Sequence, residues 1–167
     1  MLVNQNRQIV PEGIALIKNS EGEGGKPRLK SYLDTGGIPT IGWGHTGKEI
    51  RFGMEIDETK ALDYLCRDIE VAALAIKNIV KKEINDNQFS ALVDFVFNLG
   101  SGALMVSTLL KKLNEGDFHG AADEFPRWNK SRVARRDSHG NIVTEMVALP
   151  GLTIRRAAER ALFLKVA

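Results

Sequence analysis

Cysteine occurs once in the 167 residues, at Cys66, so no internal disulfide can brace the fold. With no CxxC partner, and beside the core-facing positions of its helix, Cys66 reads as a core residue. Long apolar runs are missing too. The longest, Val71–Ile76, has six residues, against about 20 for a bilayer-spanning helix, so no stable membrane insertion is expected. Met1-Leu2-Val3-Asn4-Gln5-Asn6-Arg7 holds no apolar stretch of the kind a secretory signal uses, and the expectation is a chain folded in a cytoplasm. His45, His119 and His139 lie far apart and lack metal-pair spacing. No glycine-rich phosphate loop precedes a helix. Neither a metal nor another cofactor is expected.

Apolar residues make up 43%, charged residues 26% and aromatics 7%. These values exclude disorder and collagen-like repeats. A chain of this length buries roughly 70% of its unfolded surface and needs no staple. The net charge is +2, unevenly placed. From Arg127 onward nine Lys/Arg face three Asp/Glu, which suits either an anionic partner or a solvated helix face.

Eight of the sixteen glycines fall between Gly22 and Gly47, so that stretch should be turns and short strands. A short helix precedes it, over Glu12–Ser20. After it, Asp57 is an N-cap candidate for a long amphipathic helix carrying Leu65, Ile69, Ala72 and Ile76. Asn85 and Gln88 have capping-box spacing ahead of a helix through Phe89, Leu92, Val93, Val96 and Phe97. Shorter helices are expected at Leu109–Leu113 and from Asp117 through Phe125. A last helix, Leu152–Leu164, should turn Ile154, Ala157, Ala158, Ala161 and Leu162 inward. Between Trp128 and Pro150 the helical period fails, and Asp137-Ser138-His139-Gly140-Asn141 is turn chemistry. A long loop or irregular hairpin is expected there. The architecture is therefore α+β. A small β lobe covers about residues 22–56, a helical lobe covers 1–21 and 57–167, and a cleft lies between them.

Acidic residues border that cleft. Glu21 ends the first helix, where the negative helix end and partial burial favour its proton-carrying form. Asp34 opens a turn at Thr35-Gly36-Gly37, and Thr40 follows on the next strand with a hydroxyl able to hold water. A protonated carboxyl, an ionised carboxylate and a held water suit glycoside hydrolysis. Two turn-forming acids fit the same spacing.

Longer blocks carry a resemblance. Leu16-Ile17-Lys18-Asn19-Ser20-Glu21-Gly22, then Arg28 through Asp34, then Thr40-Ile41-Gly42-Trp43-Gly44-His45-Thr46-Gly47, resemble the phage-type lysozymes, glycoside hydrolase family 24. Phe95-Val96-Phe97-Asn98-Leu99-Gly100, Ser107–Asn114, and Pro150-Gly151-Leu152 with Arg155-Arg156 extend the likeness over about residues 14–164. The resemblance implies a lysozyme-like single catalytic domain over 1–167. It also implies cleavage of the β-1,4 bond between N-acetylmuramic acid and N-acetylglucosamine. By motif, Glu21 is the general acid, Asp34 the second carboxylate and Thr40 the water-orienting hydroxyl. Inversion then requires a carboxyl separation of roughly 6.5–9.5 Å.

The Glu-to-Asp stretch is longer than the family's usual one, with the surplus in Glu23–Pro27, so Glu23 competes for the acid's place. Segment 129–149 is also long, and its arginines suit a mobile arm or helix caps. Arg155 or Arg156 is expected to pair with Glu21. His45 should brace the hairpin, and Trp43 and Trp128 suit either sugar stacking or the core. The expected partner is peptidoglycan, met by a monomer that binds no nucleic acid. The enzyme would wait in the host cytoplasm for holin-mediated release to the periplasm. A lytic transglycosylase and a cationic membrane- or nucleic-acid-binding module are the rival readings.

Overall fold

The computed structural model describes residues 3–34 and 36–166. Met1, Leu2 and Ala167, and Thr35 of the expected turn, lie outside the described residues. The α+β architecture is present. Helix α1 (Pro11–Glu21) starts on a proline whose missing N–H costs nothing there, and ends where the Gly22 N–H closes on the Lys18 carbonyl. Strands β1 (Arg28–Leu33), β2 (Pro39–Gly42) and β3 (His45–Thr46) form an antiparallel sheet in that order. The register of β1 on β2 shifts between Arg28 and Tyr32.

Helices α2 (Glu58–Ile79), α3 (Asp86–Leu99), α4 (Ser101–Met105), α5 (Thr108–Glu115) and α6 (Phe118–Ala122) follow. Their starts obey the expected caps. The Asp57 side chain accepts from the Lys60 N–H, and Asn85 with Gln88 forms a reciprocal capping box. Ser107 and Asp117 cap α5 and α6. Helix α3 is the axis of the core. Phe89, Leu92, Val93, Phe95 and Val96 are all buried, because α1, α2 and α7 (Pro150–Phe163) pack around it. Fully burying side chains of this size contributes roughly 1.5–3 kcal/mol each. A second small cluster, Ile41, Ile50 and Tyr64, seats the sheet on α2.

Four expectations change. The helix after Asp117 stops at Ala122, and a 3₁₀ turn covers Phe125–Trp128. Pro126 has no N–H to continue an α ladder. Cys66 is exposed, not core, since Tyr64 and Leu65 take the buried face of α2. Helix α7 lies about one residue position around from its expected face. Arg155, Arg156, Glu159, Leu162 and Phe163 point inward, whereas Ile154 is 71% exposed.

The fourth is the long segment. It is a regular hairpin, β4 (Lys130–Arg136) and β5 (Ile142–Ala148), in unbroken register from Lys130↔Ala148 to Arg136↔Ile142. Asp137 Oδ1 accepts from the His139 and Asn141 N–H groups and fixes its turn. Neither face of the ribbon is fully buried, so the sequence carries no period-two apolar signal there.

Helices α1 and α3 pack closely at Gly13. A Cβ there would lie 2.7 Å from Ser90 Cβ, and Ser90 is pinned by hydrogen bonds to the Val10 N–H and Asp86 carbonyl. Helix propensity alone favours alanine over glycine by about 1 kcal/mol. Overpacking reverses that sign. Gly13→Ala is expected to destabilise the protein by about 1–3 kcal/mol, read as a fall in Tm.

Candidate active site

The register of the small sheet sorts its side chains. Cross-strand partners share a face, so Tyr32, Thr40 and Thr46 form one row across β1, β2 and β3. Ile41 and His45 take the other face, toward α2. There His45 Nδ1 meets the Asp68 carboxylate at 2.9 Å, Nε2 meets Glu49 at 3.3 Å, and the ring stacks on Tyr64. His45 braces the hairpin onto α2, as expected.

Glu21 reaches the sheet through a glycine. Gly44 has φ +87°, and a Cβ built on it would lie 3.4 Å from Glu21 Oε2. The positive φ suits glycine to the tight β2–β3 turn, and the Glu21 carboxylate lies beside it at ordinary contact distance. Glu21 lines a cavity of about 830 Å³ with Asn98, Leu152 and Arg155. Gly44 and Thr46 line a second, of about 380 Å³, with Phe97 and Gly100. The carboxylate thus stands where the two depressions adjoin. Neither is lined by Asp34 or Thr40.

Tyr32 stands among all three candidate carboxylates. Burial pushes its phenol up, the Arg28 guanidinium over its ring opposes that, and the charges of Glu21, Asp34 and Glu23 add to it. The three acids differ in setting. Glu23 is exposed and paired with Arg28. Glu21 is largely covered and is held by Arg155. Asp34 Oδ1 accepts from the Gly36 and Ile38 N–H groups, both at 2.8 Å, so this oxygen builds the turn, whereas Oδ2 accepts neither bond. Thr40 is buried and not on an open cleft wall, and its Oγ1 donates to the Ile38 carbonyl at 3.0 Å.

Of the two arginines, Arg155 is the partner of Glu21. It donates through Nη1 to Glu21 and through Nε and Nη2 to the Asp94 carboxylate, at 2.9 and 2.8 Å. Burial pulls the guanidinium's pKa down, but the hydrogen bonds and charge of Asp94, then those of Glu21, more than offset that and hold it above its ordinary value. Arg156 instead donates to Asn98 Oδ1 at 3.0 Å and lies 2.7 Å from Glu159. Arg156 Nε and Nη1 and both Glu159 oxygens have no well-angled hydrogen-bond partner among the described residues. Burial, reinforced by Asp94, drives the Glu159 carboxyl well above the usual carboxylate range despite the two arginines.

Sequence reasoning missed Tyr32, Asp94, Asn98 and Glu159. Asp94 did leave a signal, a lone acid inside the apolar run Ala91–Phe97 that must find a cation once buried. Trp43 is buried, donates Nε1–H to the Gly25 carbonyl, and is covered by Lys18. Trp128 packs edge-on against Phe95. Both tryptophans serve the core. Among the described residues no group of acids, histidines and cysteines is arranged to hold a metal, and no helix is long and apolar enough to cross a membrane.

Two outcomes follow for the buried cluster. Arg155→Met strands Asp94 without a cation and should cost about 3–5 kcal/mol in denaturant unfolding. Glu159 has a raised folded-state pKa, so its contribution is present below the unfolded value of about 4.3 and is lost as pH rises through the folded value. Melting temperatures from pH 5 to 8 should therefore fall more steeply for the wild type than for Glu159→Gln.

Known proteins resemble this chain over nearly its whole length. Residues 19–159 match the family described as Phage lysozyme. The endolysin of Salmonella phage P22 is 40% identical over 161 residues, covering 94% of this chain and 98% of that protein. The muramidase domain of SpmX from Asticaccaulis excentricus superposes with a TM-score of 0.81 at 32% identity, covering 96% of this chain and all of that domain. The endolysin from Escherichia coli O157:H7 phage FAHEc1 superposes at 0.78 with 33% identity, over 95% of this chain and 94% of that one. The lysozyme-like fold expected from the sequence is thereby established, and the chain belongs to the phage lysozyme family.

Proposed function

We propose that the chain is an endolysin whose 167 residues act as one catalytic unit, with Glu21 the general acid and Asp34 and Thr40 holding the water. Peptidoglycan hydrolysis itself follows from the family and from relatives that are endolysins and a muramidase. The bond cleaved is the β-1,4 link between N-acetylmuramic acid and N-acetylglucosamine. The observation that carries the assignment is the setting of Glu21. It is largely covered, gripped by Arg155, and lies beside the β2–β3 turn of the sheet that bears Thr40, with Asp34 just past the end of β1. Glu23, exposed and tied to Arg28, has no such setting.

In the reaction, Glu21 delivers its proton to the leaving oxygen as the sugar gains oxocarbenium character. Arg155 then stabilises the carboxylate left behind. Asp34 Oδ2 and Thr40 Oγ1 place water on the opposite face of the ring, giving inversion. The Thr40 hydroxyl keeps its lone pairs for that water while its proton goes to Ile38. Action as a monomer without nucleic acid, released from the host cytoplasm through a holin, belongs to the same proposal. Expression with and without a holin, followed by culture lysis, tests that release.

Glu21→Gln should lower turnover on purified sacculi by about 10²–10⁴-fold, while Glu23→Gln keeps most activity. The opposite pattern transfers the acid role to Glu23. Because Thr40 is buried, Thr40→Ala should lose both kcat and about 1 kcal/mol of stability, with Thr40→Ser restoring both. Anhydro-sugar ends on the products, read by mass spectrometry, would replace hydrolysis by transglycosylation.

A further inference from the structure

We infer that one face of the β4–β5 hairpin docks the carboxylates of peptidoglycan stem peptides, an inference that rests on the muralytic reading above. The register divides the ribbon into two unlike faces. Lys130, Arg132 and Arg136 share one face with Met146 and Ile142, their cross-strand neighbours. All five are exposed, Ile142 by 70% and Met146 by 59%. The other face carries Val133, Arg135, Glu145 and Val147, and there Arg135 is neutralised by Glu145 at 2.9 Å. The four arginines and lysines that look alike in sequence are therefore three unpaired cations and one paired cation. Among the described residues no acid bridges Lys130, Arg132 or Arg136, and the Arg136 side chain donates to the Gly140 carbonyl.

The spacing suits an extended anionic chain. Residues two apart on a strand lie about 7 Å apart and four apart about 13 Å, so the three cations form a charged ladder along one edge. Stem peptides are short, largely extended, and carry repeated carboxylates between alanine methyls. Exposed Ile142 and Met146 give those methyls an apolar contact.

Position supports the same partner. Leu149, the residue after β5, lines the cavity that holds Glu21 and Arg155. The hairpin base is fixed there by Asn129, which takes the Leu149 N–H on its carbonyl and donates to Thr153. A glycan strand seated at Glu21 therefore presents its stems beside the ladder. The tip argues against a bilayer as the partner. Asp137 leads it, and hydrogen bonds from Asn141 and His139 hold that carboxyl below its ordinary value, keeping it charged. A charged carboxylate at the leading point repels an anionic lipid surface.

The test compares two substrates, intact sacculi and glycan strands stripped of stems by an amidase. It uses the triple variant Lys130→Ser/Arg132→Ser/Arg136→Ser, with Arg135→Ser as control. On sacculi the triple variant should raise KM about tenfold with kcat unchanged, and should flatten the fall in activity with salt. On stripped glycan it should match the wild type, and Arg135→Ser should match the wild type on both. Unchanged melting temperature is expected, since the three side chains are exposed and unpaired. Wild-type kinetics of the triple variant on sacculi would overturn the inference, as would an equal loss on stripped glycan. An equal loss with Arg135→Ser reduces the effect to net charge and also overturns it. Loss of binding to phosphatidylglycerol vesicles with sacculus kinetics intact would assign the face to lipid instead. If the wild type cleaves neither substrate, the hydrolase reading itself fails.

Discussion

A guanidinium shut away from water must be matched by carboxylates, and Arg155 is matched by two from different helices. Asp94 meets it from the middle of α3 and Glu21 from the last turn of α1. Leaving any member unpaired would carry the desolvation penalty of a buried ion, several kcal/mol. The clamp therefore sets where α7 lies on α3 and which way α1 ends. The planar fork grips Asp94 through two nitrogens and turns a third toward Glu21, a geometry that a lysine could not reproduce. Much else follows from this contact. The inward face of α7 carries Arg155, Arg156 and Glu159 in place of the apolar residues its composition suggests.

The second constraint is the contact between the end of α1 and the β2–β3 turn. Gly44, at positive φ, lets the turn close, and Glu21 lies beside it. Through that contact the charge cluster of the helical lobe is joined to the sheet row Tyr32, Thr40 and Thr46. His45 and Tyr64 fasten the same sheet to α2 on its other side. The sheet is thus held to α2 by a stacked and hydrogen-bonded histidine, while a carboxylate lies beside its β2–β3 turn. Asp34 serves two ends at once. One oxygen builds the 34–38 turn and the other stays outside that turn. A residue that shapes its own loop in this way is oriented by backbone hydrogen bonds, which resist displacement better than a free side chain would.

What the sequence revealed divides along physical lines. Helices with a buried apolar stripe and a polar cap were legible, and α2 and α3 start at the expected Asp57 and Asn85. The glycine-rich stretch was legible as short strands because glycine marks turns directly. The face of α7 was not. Periodicity arguments assume that buried means apolar, and here ion pairs take the inner positions. The same assumption put Cys66 in the core and hid the β4–β5 ribbon, which has no fully buried face to print a pattern. At the site, motif resemblance picked out Glu21 and the Arg155/Arg156 pair, but only three-dimensional packing separates Arg155 from Arg156. The burial of Thr40 was not legible either, because a short strand in a glycine-rich lobe gives no hint of what covers it.

The contact between Arg155 and Glu21 joins residues 134 positions apart. Local contacts form early in synthesis and distant ones only after the intervening chain exists. The ribosome therefore completes α1, the sheet and α3 while the cation that matches Asp94 and Glu21 is still unmade. Until α7 emerges and docks, Asp94 has no counter-ion and Glu21 has no fixed orientation. Early termination before Arg155 therefore removes the counter-ion of a buried acid in α3, so the damage reaches the core and not only the chain end.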